Sequence, residues 1–147
     1  MQISIVIPGR IGGKGRPRFS TRGGFVRAFT DAKTVNTEAL IRQFASDAMA
    51  GKPLFDGPVY LSMLITINPP ASWSNKKRAS ALYVTGKPDG DNLIKVVSDS
   101  FNGIVWRDDS QVCDILFSRR YSITSREQVA IVIADAEMPA LFREVAA

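Results

Sequence analysis

Pro88-Asp89-Gly90-Asp91-Asn92-Leu93-Ile94-Lys95-Val96-Val97-Ser98-Asp99-Ser100-Phe101-Asn102-Gly103 is the stretch from which the rest of the chain can be read. Leu93, Val96, Val97, Ser100 and Phe101 recur at spacings of three and four, which places them on one face of a helix. Asp91, Lys95 and Asp99 follow at i, i+4 and i+8 along the opposite side. Pro88 biases Lys87 toward an extended backbone, and Asn102-Gly103 reads as the helix stop. A helix with one apolar face needs a partner layer, and the flanking sequence supplies strands. Upstream, Val59, Leu61, Met63, Ile65 and Ile67 alternate and end at Pro69-Pro70. Downstream, Cys113, Ile115, Phe117, Tyr121 and Ile123 predict a strand with one buried face. A turn at Thr124-Ser125-Arg126 leads to Val129, Ile131 and Ile133, so the two strands are expected to form an antiparallel hairpin.

Farther out, Ile3, Ile5 and Ile7 predict a first strand ended by Pro8-Gly9. Residues 8–29 form a glycine-rich basic segment in which Phe19-Ser20-Thr21 and Phe25-Val26-Arg27 flank Arg22-Gly23-Gly24 as a small hairpin. It lacks both the Gly-Lys-Ser/Thr of a P-loop and the glycine spacing of a dinucleotide site. Thr30 or Asp31 caps a helix running to about Ala50, with Val35, Leu40, Ile41, Phe44, Ala45 and Ala48 as its apolar face. Ser72 is expected to cap a short helix reaching about Leu82, and Pro139 opens a C-terminal one with Leu141, Phe142 and Val145. The expected fold is α+β: one domain over residues 1–147, helices on a mixed sheet, and a C-terminal extension over 138–147.

Composition narrows the chemistry. With 0 His and 1 Cys, the chain has no imidazole base, no Ser-His or Cys-His nucleophile pair and no disulfide within itself. Any catalysis falls to carboxylates, lysine and a metal ion. No apolar run approaches a membrane span and no signal pattern opens the chain, so a cytoplasmic location without membrane contact is expected, as is the absence of a nucleotide or organic cofactor. Net charge is +5. Residues 1–30 hold Arg10, Lys14, Arg16, Arg18, Arg22 and Arg27 without one acid, so the excess sits in the basic segment. That pattern suits a polyanion, with nucleic acid first; a solvated loop is the bland alternative. Trp73 beside Lys76, Lys77 and Arg78 suits base stacking with phosphate contacts, or a partly buried tryptophan under a solvated helix.

Asp89-Gly-Asp91 and Asp108-Asp109 gather carboxylates that repel unless a cation or proton holds them together. Oxygen-only donors favour Mg²⁺ or Mn²⁺ over zinc or copper. The alternative is structural: Asp91 as a helix cap, Lys95 as its i+4 partner or that of Asp99, and Asp108-Asp109 as a polar turn. Gly90 gives the backbone freedom to turn both neighbouring acids toward one point.

Pro88-Asp89-Gly90-Asp91-Asn92-Leu93-x-Lys95, then Asp99, Asn102-Gly103-Ile104 and Asp108-Asp109-Ser110-Gln111-Val112, resembles the signature of the RusA family of Holliday-junction resolvases, small Mg²⁺-dependent endonucleases of bacteria, phages and prophages. The Gly15-Arg16-Pro17-Arg18 loop and Pro70-x-Ser72-Trp73-Ser74-x-Lys76-Lys77-Arg78 extend it over about residues 3–134. The resemblance implies that Asp89, Asp91 and Asp109 bind the metal and that Lys95 is the active-site lysine. Asp108 matches a neighbouring acid. It further implies a homodimer that nicks four-way DNA symmetrically in recombination and repair. A nuclease of broader branched substrates and a non-catalytic nucleic-acid-binding module are the competing readings. One departure stands inside the signature: Gly90 occupies a position where many relatives carry an aliphatic residue.

Overall fold

The computed structural model describes residues 1–15, 18–20, 27–29 and 32–137, with side chains described over 1–15 and 32–137. The C-terminal helix expected at Pro139, the caps Thr30 and Asp31, and the basic residues Arg16 and Arg22 lie outside these. Strand β1 (Gln2–Pro8) is followed by the short strands β2 (Arg18–Ser20) and β3 (Arg27–Phe29), which pair antiparallel as the basic hairpin. Helices α1 (Ala32–Met49), α2 (Asn75–Ser80) and α3 (Gly90–Phe101) surround strand β4 (Val59–Ile67) in sequence. A 3₁₀ turn (Asp109–Gln111), β5 (Val112–Tyr121) and β6 (Gln128–Asp135) complete the fold.

The main sheet is mixed, in the order β1-β6-β4-β5. β6 pairs antiparallel with β1 and β4, whereas β4 and β5 are parallel because α2 and α3 return the chain to its starting end. This corrects the expected β5–β6 hairpin: β4 lies between them. The reason is in the side chains. Val129, Ile131 and Ile133 of β6 are all buried in the core face, while no residue of β5 is fully buried, so β5 is the strand that goes to the edge. β5 carries Asp114, Arg119 and Arg120, as an edge strand tolerates. The six residues between Tyr121 and Gln128 easily cross the roughly 10 Å from edge strand to second neighbour.

One face of the sheet carries the core. Ile3, Ile5 and Ile7, Leu61, Met63 and Ile65, and Val129, Ile131 and Ile133 meet Ile41, Ala45 and Met49 of α1 and Leu93, Val96, Val97 and Phe101 of α3. Each such side chain contributes about 1.5–3 kcal/mol through burial. The face of α1 is narrower than its sequence implied: Thr34, Ile41, Ala45 and Met49 are buried, whereas Val35 and Leu40 are exposed. Among the described elements α1 packs mainly on β1 and α3, so a residue one step off the stripe points into solvent. α2 also starts later than expected, with Ser74 as its cap, accepting the Lys77 backbone N–H at 3.3 Å. Ile123 lies beyond β5 and is exposed. No helix among the described residues is long and apolar enough to cross a membrane.

Candidate active site and nucleic-acid surface

α3 starts where the expected signature starts. Asp89 is its N-cap residue by backbone, but its carboxylate makes no capping bond. Gly90 is not in the left-handed region, so conformational freedom is not its role there. A Cβ at Gly90 would stand 2.8 Å from Phe117 Cε1. Glycine therefore lets the helix start press onto the β5 ring. A second close approach brings in the basic loop: a Cβ at Gly13 would lie 2.9 Å from Pro88 Cβ. The loop root is tied down further by the Gly15 N–H donating to Thr34 Oγ1 at 3.0 Å and by an ion pair between Lys14 and Asp99.

The structural roles open to Asp91 and Lys95 are thus not taken up among the described residues. Asp99 pairs with Lys14 and not with Lys95. Among the described residues, Asp89, Asp91 and Lys95 have no side-chain hydrogen bond or ion pair, and all three are exposed. The positive end of the helix dipole favours two carboxylates there by about 0.3–1 kcal/mol each.

The second acidic pair divides differently. Asp108 caps the 3₁₀ turn: its Oδ1 accepts the Ser110 N–H at 3.0 Å, and the Ser110 side chain first, then that N–H, hold its pKa below the ordinary carboxylate value. Gln111 closes the box, its Oε1 accepting the Asp108 N–H at 3.3 Å and the Arg107 N–H at 2.9 Å, while its amide donates to the Phe55 and Gly57 carbonyls at 3.0 and 2.9 Å. Asp109 has no such partner among the described residues. The turn packs against α3 and leads straight into β5, yet Gly90 meets β5 at Phe117, five residues along. At about 3.3 Å per residue, roughly 16 Å of strand separates the start of β5 from Phe117, whose ring meets the start of α3. Among the described residues no three Asp, Glu, Cys or His side chains come close enough to hold a metal ion. Within one chain, then, the donors are of the right chemistry for Mg²⁺ but are not brought together as a set of three.

Arg10 and the basic residues of α2 gather at one end of the sheet. β1 and β4 finish there beside the start of β6 (Pro8 opposite Gln128, Thr66 opposite Gln128), and β5 finishes beside them, with Tyr121 opposite Ile67. Arg10 lies there and pairs with Glu127, its Nε 2.9 Å from Oε1. That bond raises the Arg10 pKa, and together with the Asn68 N–H it lowers that of Glu127. Lys77 Nζ sits 4.0 Å from the Trp73 ring centroid, and the Trp73 ring meets Tyr121 edge-on at 5.3 Å. Trp73 is half-buried in this stack, while Lys76, Lys77 and Arg78 are exposed. Arg18 and Arg27 belong to β2 and β3. Sequence reading missed Lys87, Arg119, Arg120 and Arg126 at the same end, because only the strand order shows where β5 finishes.

A sequence profile described as Endodeoxyribonuclease RusA matches residues 8–133 of the chain. The "Uncharacterized protein YqaN" of Bacillus subtilis (strain 168) is 33% identical over 135 residues, covering 88% of this chain and 94% of that protein.

Proposed function

From the premise that the chain belongs to the RusA endodeoxyribonuclease family, we propose that it is a Mg²⁺-dependent, structure-specific endonuclease that resolves four-way DNA junctions by paired symmetric nicks in recombination and repair. The observation that carries the reading is the cluster at the start of α3. Asp89, Asp91 and Lys95 stand exposed within two turns and without side-chain partners among the described residues, beside a loop root and a sheet end rich in arginine and lysine. Asp89, Asp91 and Asp109 are the proposed metal ligands, with Mg²⁺ or Mn²⁺ as the cation their oxygens suit. Asp108 is committed to its turn. Lys95 would stabilise negative charge growing on the scissile phosphate. The 8–29 segment, with Arg10, Lys14, Arg16, Arg18, Arg22 and Arg27, and α2 with Trp73, Lys76, Lys77 and Arg78, would hold the backbone of DNA by charge and shape.

The separation of Asp109 from Asp91 makes a homodimer part of this proposal. Residues 82–84 cover the outer edge of β5 at Arg119 and Tyr121, and Ile115 and Leu116 are exposed farther back along the strand. Antiparallel pairing of that part with its copy about a two-fold axis would carry one copy's Asp109 toward the segment that enters the other copy's α3. A broader preference for flaps or forks is the second reading.

The test is purified protein with Mg²⁺ and a synthetic four-way junction beside flap, fork and duplex controls. Asp91→Asn is expected to lower nicking at least ~10³-fold, some 4 kcal/mol of barrier, while junction binding persists. A rate within about threefold of wild type would remove Asp91 from the site. Mixing Asp91→Asn with Asp109→Asn chains separates the two arrangements. A site shared between copies regains one intact centre per mixed dimer, hence single nicks; a site within one chain regains none.

A further inference from the structure

Resting on the branched-DNA reading, we propose that Ile123 is a wedge that enters the open centre of the junction and unstacks a base pair there. Ile123 is 95% exposed, whereas the next most exposed large apolar residues among those described, Tyr83 and Leu116, reach 58%. A single exposed apolar side chain is ordinary on a protein surface. This one is held out by its loop. The Ser122 N–H donates to the Ile67 carbonyl at 2.8 Å, and Ser122 Oγ accepts the N–H groups of Thr124 and Arg126 at 3.3 and 2.9 Å. Thr66 Oγ1 donates to the Arg126 carbonyl at 3.3 Å. Ser125 adopts φ 57°, a left-handed conformation uncommon for a residue with a Cβ. Such a backbone persists only where its surroundings fix it.

The setting of the tip points to DNA. Ile123 stands on a ridge between two surface depressions. One is lined by Asn68, Arg78 and Ser125, the other by Leu82, Arg120 and Arg126. Arginine on both sides of an apolar point suits two phosphate backbones diverging around it. Proteins that kink or open DNA insert isoleucine, leucine or phenylalanine between base steps in this way. The same end of the sheet holds α2 and the root of the basic loop, so a duplex arm gripped there would bring a branch point to the tip.

The experiment uses full-length protein and a four-way junction with 2-aminopurine beside the branch point, in EDTA so that no strand is cut. Wild-type binding is expected to raise the fluorescence severalfold, and a plain duplex to give no rise. Ile123→Ser should remove most of that rise while Kd stays within about threefold, and Ile123→Phe should retain it. A full rise with Ile123→Ser, or wild-type binding without any rise, overturns the wedge alone. Failure of the wild type to bind any branched DNA overturns the function beneath it, and the wedge with it.

Discussion

The two ends of the main sheet carry opposite chemistry. Where β1, β4 and β5 finish, Arg10, Arg119, Arg120 and Arg126 join α2 and the root of the basic loop. At the other end, where β6 finishes and β5 begins, Asp56, Asp108, Asp109 and Asp135 dominate, with Arg107 paired to Asp56 at 2.7 Å. The acids of the family signature are split along this axis, with Asp89 and Asp91 near the basic end and Asp109 at the acidic one. A net charge of +5 conceals the difference. Positive and negative charge are sorted by strand direction, and within the basic half the described acids are those at the start of α3 and Glu127, which Arg10 pairs.

Four measurements would sharpen or break that contrast. The largest effect is expected at Lys95, whose ammonium stands beside the basic-end acids. Lys95→Ala should lower turnover on the order of 10²-fold with little loss of affinity, because charge grows on the phosphate only as the reaction proceeds. Equal losses in affinity and activity would make Lys95 an ordinary backbone contact. Next comes the point where α3 meets β5. Gly90→Ala places a methyl group against Phe117 and should lower stability by about 1–3 kcal/mol in denaturant unfolding. Adding Phe117→Leu should return part of it; additive losses would mean the two side chains do not interact.

The contrast itself is tested by charge removal at each end. Replacing Arg16 and Arg18 with Ala should weaken junction binding and flatten the slope of log affinity against log salt by roughly 0.9 per lost phosphate contact. Asp56→Asn, at the acidic end, should leave the slope unchanged. Equal responses would abolish the distinction between the ends. The smallest effect concerns Glu127, whose pKa is depressed by Arg10 and the Asn68 N–H. Its folded value lies below its unfolded one, so its stabilisation is present at neutral pH and fades as pH falls through the depressed value. For so exposed a pair the effect is under about 1 kcal/mol. Glu127→Gln should therefore trim stability at pH 7 and leave it unaltered in strong acid, as thermal melts across pH would record.

Periodicity made the local elements legible. β1, β4 and α3 fall where alternation and helical spacing place them, and the α3 stop at Asn102-Gly103 has the expected left-handed glycine, φ 74°. Partnership was less visible. The apolar run from Cys113 to Ile123 reads like a half-buried strand, yet an edge position leaves Ile115 and Leu116 exposed. Nothing in a linear pattern says that β4 will insert between β5 and β6. The acids were found by their spacing, but their separation is a property of strand direction. Gly90 was singled out for the wrong physical reason, since the need comes from a ring twenty-seven positions away and not from its own dihedral angles.

The pairing of β1 with β6 also bears on synthesis. β6 is the last of the described strands to be translated, yet it lies between β1 and β4 and touches both. A ribosome that stalls before Gln128 leaves β1 and β4 with their facing edges unfilled, and no sheet for α1 and α3 to cover. Truncated products would therefore be unfolded chains fit for proteolysis, not partial enzymes that nick DNA without control.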